Sequence, residues 1–291
     1  MIPPPHLLQN LARSRLLVSR AVASVGVGER RSNAKGAGME FAAHREYAPG
    51  DDLRHLDTHV LARTGQYYVR QYEVHMQLPV TILVDGSRSM GQGMPSKLDT
   101  AKWLANILGF VALAGGDRAR IGFWDGLRLE FSPFYQGANR VQRLFLWVAS
   151  RQTASTGSFK EAFLPAAESM PSRSLVILLS DWWVEDFEAG IKRLGANDRE
   201  LWALQIVSRE ELDPTLLGQG DLRLIDSESG DEVEFSLDAL SATSYRRTVD
   251  EWCDRLRRTV LELQGRYLLI RTDDVLEKII WQDMRRLGMV R

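Results

Sequence analysis

The sequence predicts an α/β fold, a three-layer sandwich around a mostly parallel, Rossmann-like sheet, preceded by a small N-terminal α+β segment. Three observations predict it. Val80–Val84, Leu175–Leu179 and Arg266–Ile270 are short runs rich in apolar side chains, as in strands buried on both faces. Stretches with helical apolar spacing separate them, and strands that alternate with helices pair in parallel through right-handed crossovers. Two of the runs end in a carboxylate, Asp85 and Asp181, and the carboxyl ends of strands are where ligands bind in an open α/β sheet.

Composition narrows the class. The chain has 291 residues, 44% of them apolar, enough for a sizeable core. A formal net charge of -1 gives no basic field for nucleic acid or an anionic membrane. A single cysteine, Cys253, excludes an internal disulfide and fits a reducing compartment. No apolar run reaches the roughly 18 residues of a membrane span. Leu7–Val27 is broken by Arg13, Arg15 and Arg20 and lacks a signal-peptide core. The expectation is a soluble, cytoplasmic protein.

The N-terminal segment, 1–77, is expected to pack on the main domain. Pro3-Pro4-Pro5 is a stiff lead-in, and the leucines of His6–Val25 have helical spacing. Gly26–Gly38 is a Gly- and Arg-rich loop without the strand and helix that a phosphate cradle needs. Pro49-Gly50 marks a turn, Asp51 an N-cap for a short helix to Arg63, and Gln66–Val74 a strand. His55 and His59 have metal-ligand spacing, but no third His or Cys follows at a suitable interval, so the pair reads as surface or interdomain.

The main domain, 78–291, follows in order. After the first strand, Lys97–Ala114 reads as an amphipathic helix closed by Gly115-Gly116-Asp117. Arg118–Trp124 and Leu127–Phe131 form a hairpin about Asp125-Gly126, and Ala138–Gln152 is helical. Ser155-Thr156-Gly157-Ser158 then opens a helix over Phe159–Met170. Leu175–Leu179 leads into Ser180-Asp181-Trp182-Trp183 and a helix over Glu185–Leu194. Glu200–Val207 is the next strand, and a hairpin insertion is expected near 221–236. An Arg-rich helix over Ser241–Gln264, the strand Arg266–Ile270 and a closing helix over Val275–Leu287 complete the domain.

The chemistry concentrates in Asp85-Gly86-Ser87-Arg88-Ser89. Alternate positions Asp85, Ser87 and Ser89 can turn one carboxylate and two hydroxyls towards one point, a hard oxygen set of the kind Mg²⁺ prefers. Read as structure alone, the same residues make a polar strand-to-helix loop with serine caps, and Asp181 an N-cap for the helix after it. A nucleophile-elbow reading with Ser89 as nucleophile and Asp181 as acid lacks its base, because all five histidines precede Ser89. A metal-assisted phosphatase lacks a second acid beside Asp85. No Gly-x-x-x-x-Gly-Lys-Ser/Thr is present for a nucleotide phosphate.

The strand–Asp-x-Ser-x-Ser–helix unit, with a second strand-terminal Asp farther along, resembles the von Willebrand factor A domain. The resemblance implies a metal-ion-dependent adhesion site formed by Asp85, Ser87, Ser89 and Asp181. That family's second loop contributes a Thr. Aligned on Phe159 its position falls on Gly157, so Thr156 or Ser158 substitutes or the ligand is absent. Upstream, Arg45, Tyr47, Pro49, Gly50, Asp51, Asp52, Arg54, Asp57, Ala62, Arg63, Val69 and Arg70 resemble the core pattern of a prokaryotic family called domain of unknown function 58, with Thr58 where that family usually has Trp. The implied function is a non-enzymatic, Mg²⁺-dependent (or Mn²⁺- or Ca²⁺-dependent) adaptor that binds a partner's carboxylate. The implied partner is a MoxR-type AAA+ ATPase, acting in protein assembly or maturation. The alternatives are a Mg²⁺-dependent phosphatase or other hydrolase, and a metal-free scaffold.

Overall fold

The apolar runs are strands in the computed structural model, which describes residues 2–19, 39–74, 77–126, 128–153, 165–185, 187–218, 220–225 and 232–291. The chain divides into two compact units, Ser24–Gln77 and Met1–Ala23 together with Leu78–Arg291.

Helix α1 (Pro5–Leu11) starts on a proline, whose missing N–H costs nothing at a helix start, and buries Leu7 and Leu11 in the core of the larger unit. It is shorter than the helix expected over His6–Val25. Arg15 exchanges backbone hydrogen bonds with Arg291, and Leu16 bridges to Val290. Pairing with the C-terminus thus takes the chain out of the helix despite its leucine spacing. Residues 20–25 of the expected helix lie outside the described residues.

In the smaller unit, β1 (Met39–Glu46) pairs antiparallel with β2 (Tyr68–Val74). Between them a 3₁₀ turn (Leu53–His55) leads into α2 (Thr58–Thr64). Asp57, not Asp51, caps α2, accepting from the N–H groups of His59 and Val60. Asp51 instead turns back to the N–H of Ala48 and to Arg45. His55 lies on the 3₁₀ turn and His59 on α2, so the two do not share one helix.

The larger unit runs β3 (Pro79–Asp85), α3 (Lys97–Ala114), β4 (Arg118–Trp124), β5 (Leu129–Phe131), β6 (Tyr135–Gln136) and α4 (Val141–Ala149). It continues through β7 (Leu175–Ser180), α5 (Phe187–Leu194), β8 (Glu200–Val207) and a short α6 (Arg209–Leu212). The hairpin β9 (Gly220–Ile225) and β10 (Glu232–Leu237), α7 (Ala239–Glu262), β11 (Arg266–Arg271) and α8 (Leu276–Lys278) follow, α8 passing into a π turn over Ile279–Met284. The main sheet has the order β11-β8-β7-β3-β4-β5, with β6 also on β4. Its five long strands pair in parallel, and β5 and β6 join antiparallel. This is the three-layer α/β sandwich with a mostly parallel sheet that the sequence predicts.

Side chains alternate across the sheet. Val80, Ile82, Val84, Leu175, Ile177 and Leu179 face a core shared with α1, α3 and α4. Leu83, Val176 and Leu178 face a second core with Phe187, Ile191, Leu256 and Val260 of α5 and α7. Helix α3, expected to be amphipathic, is buried nearly all round. Helix α4 covers its outer side so closely that a Cβ at Gly109 would lie 2.8 Å from Leu144. The chain crosses from β3 to β4 on one side and later to β7 on the other. The strand order therefore reverses at β3, and the carboxyl ends of β3 and β7 form the switch point at which doubly wound sheets bind ligands.

Candidate functional site

Asp85 is the last residue of β3 and is 2% exposed. Its Oδ1 accepts the N–H of Ser87 at 2.9 Å, and its Oδ2 accepts the hydroxyl of Ser180 at 2.5 Å. Ser180 meets it because Val84 pairs with Leu179, which sets Asp85 and Ser180 side by side on the same face of neighbouring strands. Gly86 makes the turn possible. A Cβ there would come within 2.3 Å of the Phe123 ring and 2.6 Å of the Trp124 carbonyl. The loop then enters a 3₁₀ turn (Arg88–Gly91) anchored by buried Met90. The hydroxyls of Ser87 and Ser89 lie 3.1 Å apart. Burial, and after it the charge of Asp181, push the Asp85 carboxyl up to about 6.

Asp181 follows the last residue of β7 and is also buried. Its Oδ1 accepts the N–H of Trp183 at 3.3 Å, and its Oδ2 accepts from the ammonium of Lys97 at 2.7 Å. The same ammonium donates to Glu211 on α6. Burial alone would lower the Lys97 pKa, but the charges of Asp181 and Glu211 outweigh it and hold it above its ordinary value. Trp182 takes the left-handed conformation, φ 62°, which is costly for a bulky residue. It is fully buried, with its N–H on Ser180 Oγ and its carbonyl receiving the Trp252 indole N–H.

Of the residues expected at the site, Asp85, Ser87 and Ser89 form one cluster, and Asp181 is near enough for its charge to raise the Asp85 pKa. Thr156, Gly157 and Ser158 lie outside the described residues. Asp181 is not an N-cap: the helix after it begins only at Phe187. Three participants escape the motif, namely Ser180, Lys97 and Glu211. Glu211 leaves a local trace, because Ser208-x-x-Glu211 spells a capping box, and that box is present. Lys97 leaves none, since a lysine opening a helix ordinarily faces water.

The first loop offers oxygen donors only, around a buried carboxylate whose ionised form is disfavoured. Such a set fits a hard divalent cation. Among the described residues no group of three or more His, Cys, Asp or Glu is placed to hold a metal, so any such site would have to draw on hydroxyls. Among the same residues no helix is long and apolar enough to cross a membrane.

Comparison with known proteins adds the following. The family model described as "Protein of unknown function DUF58" matches residues 43–252. The uncharacterized proteins Rv1480 of Mycobacterium tuberculosis and Mb1516 of Mycobacterium bovis are each 26% identical over 282 residues, covering 94% of this chain and 87% of theirs. Among solved structures, the conserved hypothetical protein BatB of Bacteroides thetaiotaomicron is similar with a TM-score of 0.46 at 15% identity, covering 72% of this chain and 98% of that one. The SpRpn10 VWA domain is similar with a TM-score of 0.40 at 11% identity, covering 70% and 94%.

Proposed function

The chain belongs to the DUF58 family, and on that premise we propose that it is a protein-interaction module whose docking point is the Asp85 loop. One observation carries the reading. At the carboxyl end of β3, where the strand order reverses, a buried carboxylate pushed up to about 6 stands beside two hydroxyls 3.1 Å apart. Asp85, Ser87 and Ser89 would hold a divalent cation, Mg²⁺ or alternatively Mn²⁺ or Ca²⁺. Bound there, the ion would supply an open coordination position for a partner's Glu or Asp.

The protein's own part is positional. Ser180 orients Asp85 from the neighbouring strand, Gly86 lets the loop pass close to Phe123, and Met90 pins the loop to the core. No catalytic step is assigned to these residues. The partner in this reading is a MoxR-type AAA+ ATPase, with the chain as adaptor in protein assembly or maturation.

The test is a pull-down with the full chain in Mg²⁺ and in chelator, repeated with Asp85→Ala. The expected result is a bound AAA+ ATPase that is lost on chelation and absent from Asp85→Ala. Unchanged partner binding together with unchanged Mg²⁺ affinity in Asp85→Ala overturns the proposal.

A further inference from the structure

Lys97 opens α3, the first α-helix after the Asp85 loop, and its side chain is 0% exposed. Its position is unfavourable twice over. A helix N-terminus carries positive partial charge, and burial penalises an ammonium. Two carboxylates compensate, and the backbone fixes both: Asp181 Oδ1 accepts the Trp183 N–H, and Glu211 Oε2 accepts the Ser208 N–H at 2.7 Å. The ammonium is therefore held in place, 2.7 Å from the carboxylate that the adhesion-site pattern assigns to a metal.

The geometry points to Lys97 as a built-in competitor for the cation: its ammonium keeps Asp181 out of the coordination shell, so among the described residues an ion at Asp85, Ser87 and Ser89 is held by the charge of one carboxylate. This inference rests on the cation reading above. Recruiting Asp181 to the ion requires breaking its pair with Lys97. It also disturbs Glu211, whose other oxygen closes the capping box of α6 and whose carbonyl accepts the Tyr245 hydroxyl of α7 at 3.0 Å. Weak, exchangeable binding is the consequence, and release of Asp181 is the route to tighter binding.

The test is calorimetric titration of the full chain with Mn²⁺, using the wild type, Lys97→Met, Asp85→Ala and the double variant Lys97→Met with Glu211→Gln. The double variant removes one positive and one negative charge together. It leaves the net charge of the cluster unchanged while freeing Asp181, and it decides the question if Lys97→Met alone fails to fold. Mn²⁺ is expected to bind both Lys97 variants on the order of tenfold more tightly than the wild type, the least that one unit charge a few ångströms away should produce, and Asp85→Ala is expected to lose binding. Tightening in Lys97→Met alone assigns the effect to bulk charge and overturns the inference. Unchanged or weaker binding in both Lys97 variants, with Asp85→Ala still deficient, overturns it and leaves the cation reading standing. No Mn²⁺ bound by any of the four proteins, or Asp85→Ala binding like the wild type, overturns both.

Discussion

Asp85 and Asp181 stand at the carboxyl ends of two neighbouring parallel strands, the one as the last residue of β3 and the other just after β7; both are buried, and they are held in opposite ways. Asp85, at the end of β3, accepts from a hydroxyl and a backbone N–H, with no cation paired to it among the described residues. Asp181 stands one residue beyond the end of β7 and carries an ion pair with a fully buried ammonium. Direction along a strand alternates with each residue, so that offset decides which layer a carboxylate meets. Asp85 shares a face with Ser180, whereas Asp181 meets the first turn of α3. The lesson is that similar-looking strand ends can differ in electrostatics: one carboxylate is held by neutral donors and the other by a buried ammonium.

The largest expected effect tests the satisfied side. Lys97→Met leaves Asp181 and Glu211 without their counter-charge, and removing one partner of a buried ion pair typically costs about 3–5 kcal/mol. Urea unfolding of the full chain measures it, and a loss below about 1 kcal/mol would erase the contrast between the two strand ends. The next effect tests the unsatisfied side. Asp85 titrates at about 6 in the folded chain against 3.8 ordinarily, so between those values the native state binds more protons than the unfolded one. In chelator, stability is expected to fall as pH rises from about 4 to 6, with Asp85 contributing on the order of 2–3 kcal/mol. Asp85→Asn removes that contribution. Asp117, raised by burial to about 6, keeps a residual slope in the same window. A slope unaltered by Asp85→Asn, followed by unfolding at a series of pH values, would show that the Asp85 carboxylate is not under strain. The smallest effect lies between the two strands. Ser180→Ala removes the hydroxyl that donates to Asp85 and accepts from Trp182 N–H, an expected loss of about 1–2 kcal/mol that thermal unfolding can read.

Much of this was legible in the residues themselves. Val80–Val84 and Leu175–Leu179 announced buried strands, Asp85-Gly86-Ser87-Arg88-Ser89 announced a polar turn, and the sheet and the first loop lie where those patterns put them. His6–Val25 was misleading because its leucine spacing carries no information about Val290 and Arg291, the C-terminal residues that pair with Leu16 and Arg15. Asp51 was misleading as a cap because Asp57, six residues on, competes for the same role and has the free N–H groups of α2 in front of it. Lys97 was invisible as a site residue. Its two partners, 84 and 114 positions away, reach it only once the sheet is assembled.

By itself the sequence determined the buried strands Val80–Val84 and Leu175–Leu179, the polar turn after the first of them, and that a carboxylate ends β3 and another follows β7, because burial pattern and turn chemistry act between near neighbours. Only the tertiary structure decided which of those carboxylates is neutralised. Charge compensation follows distance in space, and strand order, alternation of side chains and the placement of α3 and α6 set that distance.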